Sequence, residues 1–150
     1  MSDSDPREGD DMLDLATEFG ARADRRLRAE EIAWFVTVRP DGTPIPVPVW
    51  FVWDGETILL YSQPRAGKVR NIAANPRVSL HLDTDAHGDG MIVVTGEARV
   101  DPSAPAMHVL QAYAEKYRAR VEAAFGGRFA EVGTDYSTPI RIVPDRISGF

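Results

Sequence analysis

The chain has 150 residues, 43% hydrophobic and 27% charged, with 17 basic and 23 acidic side chains and a formal net charge of −6. That length fits one domain with a core of its own, and the absence of cysteine excludes disulfides, thiolate catalysis and cysteine-bound metals. An acidic balance without a basic stripe argues against nucleic acid as a partner, and no apolar run approaches the roughly 18 residues of a membrane helix.

Residues 1–12 read as an acidic tail carrying Asp3, Asp5, Glu8, Asp10 and Asp11. Such a segment is expected to be disordered and solvating, ahead of one domain over 13–150. The start Met1–Pro6 lacks a basic-then-apolar signal, and with zero cysteines this points to the cytoplasm. The first helix is expected from about Leu13 to Leu27. Leu15, Phe19, Ala23 and Leu27 recur every four residues along one face. Arg25, Arg26 and Arg28 make a basic, solvated last turn that suits the helix dipole.

From Ile32 the period changes. Ala33–Val38 is aromatic and β-branched, hence a strand. Pro40-Asp41-Gly42-Thr43 is a turn, and Ile45–Trp53 returns as the other arm of a hairpin. Pro46, Pro48 and Trp50 share one face of that arm, and Val47, Val49 and Phe51 the other. Proline cannot donate to a ladder, so this strand is either a guarded edge or a wall beside something other than a strand.

Asp54-Gly55 is a tight hairpin turn before the strand Thr57–Ser62. Gln63–Gly67 is a loop, and Lys68–Ala74 a short helix ended by Asn75-Pro76. Arg77–Leu82 alternates, with Val78, Leu80 and Leu82 on one face. The polar loop Asp83–Gly90 leads into Met91–Val100, where Gly96 marks a bulge. A second helix is expected from about Ala106 to Phe125, with Leu110, Ala114, Tyr117 and Val121 as its stripe and Gly126-Gly127 as its stop. Ile140–Ile147 is the last strand. Six or seven short strands joined by tight turns, with two or three helices, make a mainly β chain and suggest an antiparallel barrel.

No nucleophile elbow, Walker loop, dinucleotide glycine fingerprint or HExxH is present. His81, His87 and His108 are scattered, and the loop Asp83–Gly90 lacks the closing glutamate of a calcium loop. Neither a metal site nor a catalytic side chain is expected. The informative stretch is Tyr61–Ile72, which gathers Ser62, Arg65, Lys68, Arg70 and Asn71 at a strand-to-helix junction. Free N–H groups at a helix start favour anions. Arg65 and Lys68 add charge there, and Gly67 leaves room for a phosphate against the backbone. On spacing alone a solvated basic helix end accounts for the same residues, with a phosphate site as the alternative.

The runs Trp34–Pro44, Pro46–Phe51 and Lys68–Val78, together with Ser62, resemble the pyridoxamine-phosphate-oxidase-like split-barrel superfamily. Within it they are most similar to the flavin/deazaflavin oxidoreductase B branch, many members of which use coenzyme F420. The resemblance covers about residues 27–150 and rests chiefly on the Asp-Gly-x-Pro block at 41–44 and the Lys-x-x-Asn-x-x-x-Asn-Pro block at 68–76. It implies a six- to seven-stranded split β-barrel of the FMN-binding type, and a homodimer with two cofactor sites at its interface. By the same resemblance Lys68 and Asn71 hold the cofactor phosphate region, with Gly67 and Arg65 beside them. Tyr61 and Ser62 border the cofactor, Pro48, Val49 and Trp50 line its ring, and Val94, Thr95 and Arg146 reach it.

One departure matters. Pro46–Phe51 stands where true pyridoxamine phosphate oxidases carry Arg-x-Val-Leu-Leu-Lys, so vitamin B6 oxidation is not expected. The expectation is an F420-dependent oxidoreductase passing hydride between the deazaflavin and a small unsaturated organic substrate, with the chemistry residing in the cofactor. FMN on the same fold, and a carrier without turnover, remain open alternatives. Arg65 and Arg70, placed to meet the longer acidic tail of the deazaflavin, favour F420.

Overall fold

A computed structural model describes residues 13–150. The acidic stretch 1–12, expected to be disordered, lies outside the described residues. Seven strands are present among the described residues: β1 (Ala33–Val38), β2 (Pro44–Val49), β3 (Val52–Trp53), β4 (Ile58–Ser62), β5 (Arg77–His81), β6 (Ile92–Val100) and β7 (Thr138–Gly149). All pair antiparallel, in the order β2-β1-β5-β6-β7-β4-β3.

The outer strands β2 and β3 are consecutive in the chain, separated only by Trp50 and Phe51. In a flat sheet, six steps of about 4.8 Å would set them roughly 29 Å apart, yet the link from Val49 to Val52 reaches only about 10 Å. The sheet therefore curls into a barrel with an open seam between its two ends. This corrects the expected single strand Ile45–Trp53, which breaks at the seam. The proline run is an edge strand, one of the two readings its composition allowed.

Alternation decides what fills the barrel. Ala33, Phe35, Val49, Ile58, Leu60, Val78, Leu80, Ile92, Val94, Ala98, Ile140 and Ile142 form the main core. Strand β4 is buried on both faces. Ile58 and Leu60 point inward, whereas Leu59 and Tyr61 belong to a second cluster outside the barrel. Among the described residues four helices accompany the sheet: α1 (Glu18–Ala29), α2 (Gly67–Ala74), α3 (Gln111–Phe125) and α4 (Phe129–Asp135). Helices α3 and α4 build that second cluster from Tyr113, Ala114, Tyr117, Val121 and Phe129. No helix among the described residues is long and apolar enough to cross a membrane.

Several boundaries differ from the sequence reading for local reasons. Helix α1 starts at Glu18 because Thr17 caps it, its hydroxyl accepting the Gly20 N–H at 2.9 Å. Leu15 therefore lies outside the helix and is exposed, while Ala23 and Leu27 are buried. Its basic end is not merely solvated. Arg26 pairs with Glu30 and donates to the carbonyls of Gly90 and Asp83, pinning the 83–90 loop. Helix α3 begins at Gln111 rather than Ala106 and ends on Gly126, which takes the left-handed φ of 62°. Helix α4 was not expected.

The bulge foreseen at Gly96 is present as a register shift between Thr95 and Gly96 opposite β7. A Cβ on Gly96 would sit 2.2 Å from the Val143 carbonyl oxygen, so the bulge demands glycine.

The seam leaves backbone groups without a strand neighbour, and α3 supplies side chains instead. The Tyr117 hydroxyl accepts the Phe51 N–H at 2.8 Å and lies within donating distance of the carbonyls of Glu31 (2.7 Å) and Phe51 (2.9 Å). Lys116 donates to the Phe51 carbonyl at 2.9 Å, with its ammonium 3.9 Å from the centre of the Phe51 ring.

Candidate functional site

Where α3 and α4 cover the seam they leave a cleft of about 310 Å³, the lower end of the range for ligand sites. Its barrel wall is Pro48, Val49 and Trp50 from the seam, with Ile32 beside them and Tyr61 from β4. Its helical wall is Met107, Tyr113, Val132 and Tyr136. Lys68, near the start of α2, closes one side.

The barrel wall is held in place from behind. The Trp50 indole stacks on the Tyr117 ring at 4.7 Å and 6°, so the residue that lines the cleft rests on the residue that plugs the seam. Tyr61 donates to the Pro105 carbonyl at 2.7 Å, and burial pushes its hydroxyl up to about 12. It acts as a fixed wall. Tyr113 meets Tyr61 edge-on at 5.1 Å.

Helix α2 carries the cationic end. Its N-cap residue, Ala66, has no side-chain acceptor; the Val69 N–H turns to the Ala66 carbonyl at 3.1 Å, and the Gly67 and Lys68 N–H groups are those left for an external anion. Lys68 has no hydrogen-bond or ion-pair partner among the described residues, and burial lowers its ammonium below the ordinary lysine range. An unpaired, partly desolvated cation beside uncapped N–H groups is suited to a phosphate or carboxylate.

The remaining candidates divide by place. Asn71 is buried, and its side-chain amide donates to the Thr37 hydroxyl at 2.9 Å, bracing α2 onto β1. Arg65 is exposed, and its carbonyl accepts from Arg70 at 2.6 Å, which turns Arg70 back onto the loop. Gly67 is exposed, and a Cβ there would meet nothing nearer than Arg70 at 3.7 Å. The fold alone therefore does not require glycine at that position. Ser62 is fully buried and donates to the Gln63 carbonyl at 2.9 Å.

The cleft brings together Pro48, Val49, Trp50, Tyr61 and Lys68. Val94 lies in the barrel core instead. Thr95 donates to the Asp145 carboxylate at 3.0 Å and faces Arg146 across the bulge. None of Val94, Thr95 and Arg146 lines the cleft. Sequence reasoning missed the helical wall. Tyr113 and Tyr117, four apart on one helix face, were the available signal.

No group of three His, Asp or Glu side chains among the described residues has metal-binding geometry. In the loop 83–90 the Asp85 carboxylate instead accepts the N–H groups of His87 and Asp89.

Comparison with known proteins agrees with this architecture. A family model described as pyridoxamine 5'-phosphate oxidase matches residues 19–148. A solved F420 reductase is similar at 26% identity over 83% of this chain and 94% of that one, with a TM-score of 0.58. An FAD-binding protein from Mesorhizobium loti matches at 20% identity over 85% and 88%, with a TM-score of 0.57. The heme storage protein HutZ from Vibrio cholerae matches at 18% identity over 84% and 91%, with a TM-score of 0.58. The last two likenesses show the fold alone. No curated protein matches the chain. With a family match spanning most of the described residues and an open seven-stranded barrel behind it, the chain belongs to the pyridoxamine 5'-phosphate oxidase family.

Proposed function

We propose that this chain is an oxidoreductase that binds coenzyme F420 and passes hydride between it and a small unsaturated organic substrate. The observation that carries the reading is the cleft itself: an apolar wall, Pro48-Val49-Trp50, ending at the unpaired ammonium of Lys68 and the uncapped start of α2. A flat ring with a phosphate-bearing tail has that pattern. The likeness to an F420 reductase supports the deazaflavin over FMN.

The residues present fit such a group. The Lys68 ammonium and the N–H groups of Gly67 and Lys68 would hold the phosphate, with Gly67 allowing close approach and Arg65 adding charge nearby. Asn71 acts one step back, fixing α2 on β1 through Thr37. Trp50, stacked on Tyr117, presents a rigid face to the ring and excludes water from it. When bound, the deazaflavin supplies a two-electron hydride couple. The protein's part is to orient the ring and to keep its reacting face dry. Ser62, Val94, Thr95 and Arg146 have no place in this cleft; an extended tail, or the second copy of a homodimer, is where Thr95 and Arg146 would act. Exposed Val143 and Phe150, in β7 and just beyond it, supply apolar surface for such a dimer.

The test is the cofactor carried by protein made in a host that synthesises both F420 and flavins, read by absorbance and mass. Fluorescence titration with each should then give tighter binding of the deazaflavin. Equal or inverted affinities overturn the cofactor assignment. Binding without reduction of any activated alkene would leave a carrier protein.

A further inference from the structure

Of the 17 basic side chains in this protein only two are lysines, Lys68 and Lys116, and each lines a cavity. The others are arginines, which keep their charge at any ordinary pH, whereas a lysine can give up a proton and become a nucleophile. Lys68 belongs to the cleft already described. Lys116 lines a second cavity of about 350 Å³, on a different face of α3, with Arg28, Val52, Trp53, Ala112 and Glu115. We propose that this second cavity is an acylation site for short-chain acyl phosphates, with the Lys116 amine as nucleophile, Arg28 taking the phosphate, and Val52, Trp53 and Ala112 receiving the acyl chain. The proposal does not depend on which cofactor occupies the cleft.

The amine is held in place but not neutralised. Its nitrogen lies 2.9 Å from the Phe51 carbonyl oxygen and 3.5 Å from that of Leu27. No carboxylate pairs with it among the described residues. Glu31 pairs with Arg120 at 2.8 Å, Glu30 pairs with Arg26, and Glu115 accepts from the Gln111 amide at 2.8 Å. Burial brings the ammonium down to about 8 although Glu31 and Glu30 pull the other way, so at pH 8 about half of the molecules carry the free amine. Arg28 gives its Nε to Asp24 at 3.0 Å, is half-exposed, and its two terminal nitrogens have no hydrogen bond among the described residues. They are free to receive a phosphate.

The step needs no further reactant. The lone pair of the neutral Lys116 amine attacks the acyl carbon, and a C–N bond forms. The bond from that carbon to the phosphate oxygen breaks, and inorganic phosphate leaves with the electron pair. The proton lost from nitrogen passes to water or to the departing phosphate. The product suits its surroundings better than the ammonium does. It keeps one N–H for the Phe51 carbonyl, carries no desolvated charge, and lays its methyl group against apolar walls.

The experiment incubates the whole protein with acetyl phosphate from pH 6.5 to 10, with Nα-acetyl-lysine amide in the same solution as the ordinary amine, and follows acetylation of the Lys116 peptide by mass spectrometry. At pH 7.5 Lys116 should react about tenfold faster than the reference amine, because the gain in free amine outweighs its lower basicity. Its rate should level off above about pH 8, while the reference continues to rise toward its own pKa of about 10.4. Arg28→Gln should slow the reaction with acetyl phosphate about fivefold and leave that with the uncharged N-hydroxysuccinimidyl acetate unchanged. A Lys116 rate at or below the reference, a profile that climbs with the reference, or acetylation confined to Lys68 overturns the proposal. Equal acetyl phosphate rates in wild type and Arg28→Gln overturn the choice of acyl phosphates.

Discussion

The hydroxyl of Tyr117 stands in the place of a missing strand neighbour for Phe51. It accepts the Phe51 N–H at 2.8 Å and can donate to the carbonyl of Phe51 or of Glu31. Buried backbone groups left unpaired cost about 1–3 kcal/mol each, so one side-chain oxygen closes a gap that the sheet itself cannot close. Tyr117→Phe is expected to lower the unfolding free energy by roughly 2 kcal/mol, read as a fall in the urea midpoint with an unchanged slope. An unaltered midpoint would show that water or a shifted β3 replaces the plug.

Lys68→Ala should weaken cofactor binding about tenfold or more, the scale of one lost charged hydrogen bond. Stability should not fall, because Lys68 has no partner to lose and its buried ammonium is desolvated. Gly67→Ala sharpens the same point. A Cβ there has room in the protein, so stability should hold while the dissociation constant rises. Normal cofactor affinity in both variants would move the phosphate elsewhere.

Gly96→Ala drives a methyl group into the Val143 carbonyl at the bulge. The neighbouring atoms are backbone on a paired strand and cannot swing aside. A loss of about 2 kcal/mol or more is expected, with the amides around Thr95 and Arg146 exchanging faster. Stability equal to wild type would mean that the bulge relaxes freely.

Burial pulls the Lys116 ammonium down to about 8, against the opposing pull of Glu31 and Glu30. Between that value and the ordinary lysine pKa of about 10.4, the unfolded chain binds a proton that the folded chain has released. Stability of the cofactor-free protein should therefore rise as pH goes from about 8 to 10. Above about 10 the sign reverses. Tyr61, Tyr113 and Tyr117 resist ionisation in the fold, whereas unfolded tyrosines do not. Lys116→Met should flatten most of the rise, with the remainder due to Lys68. Urea titrations at pH 8, 9 and 10 read it directly, and a slope as steep in the variant would falsify the assignment.

Most of the barrel was legible in the sequence because strand alternation is a local signal. Phe35, Val78, Leu80 and Ile142 sit inside, as their spacing implies. The turns at Gly42 and Gly55, with φ of 88° and 97°, are likewise local. The seam was not legible. Nothing in Val49-Trp50-Phe51-Val52 says that a ladder ends there, because the reason lies in Tyr117, far along the chain. Helix α4 is one short stretch with Gly133 inside it, and the Gly126-Gly127 stop conceals its start. For the site, the cationic junction announced Lys68, whereas Asn71 had the composition of an anchor and the structure gives its amide to Thr37. Tyr113 lies off the stripe of Leu110, Ala114, Tyr117 and Val121 that marked the helix, and only the packing of α3 over the seam brings it to the cleft wall.

The two separate apolar clusters have a bearing on how this architecture diversifies. The barrel is filled by its own side chains, and the cleft lies outside it, against the cluster that α3 and α4 contribute. Substitutions at Met107, Val132 or Tyr136 reshape the cleft without opening a hole in the barrel. Ligand preference can thus drift on one side of β4 while selection for folding acts on the other.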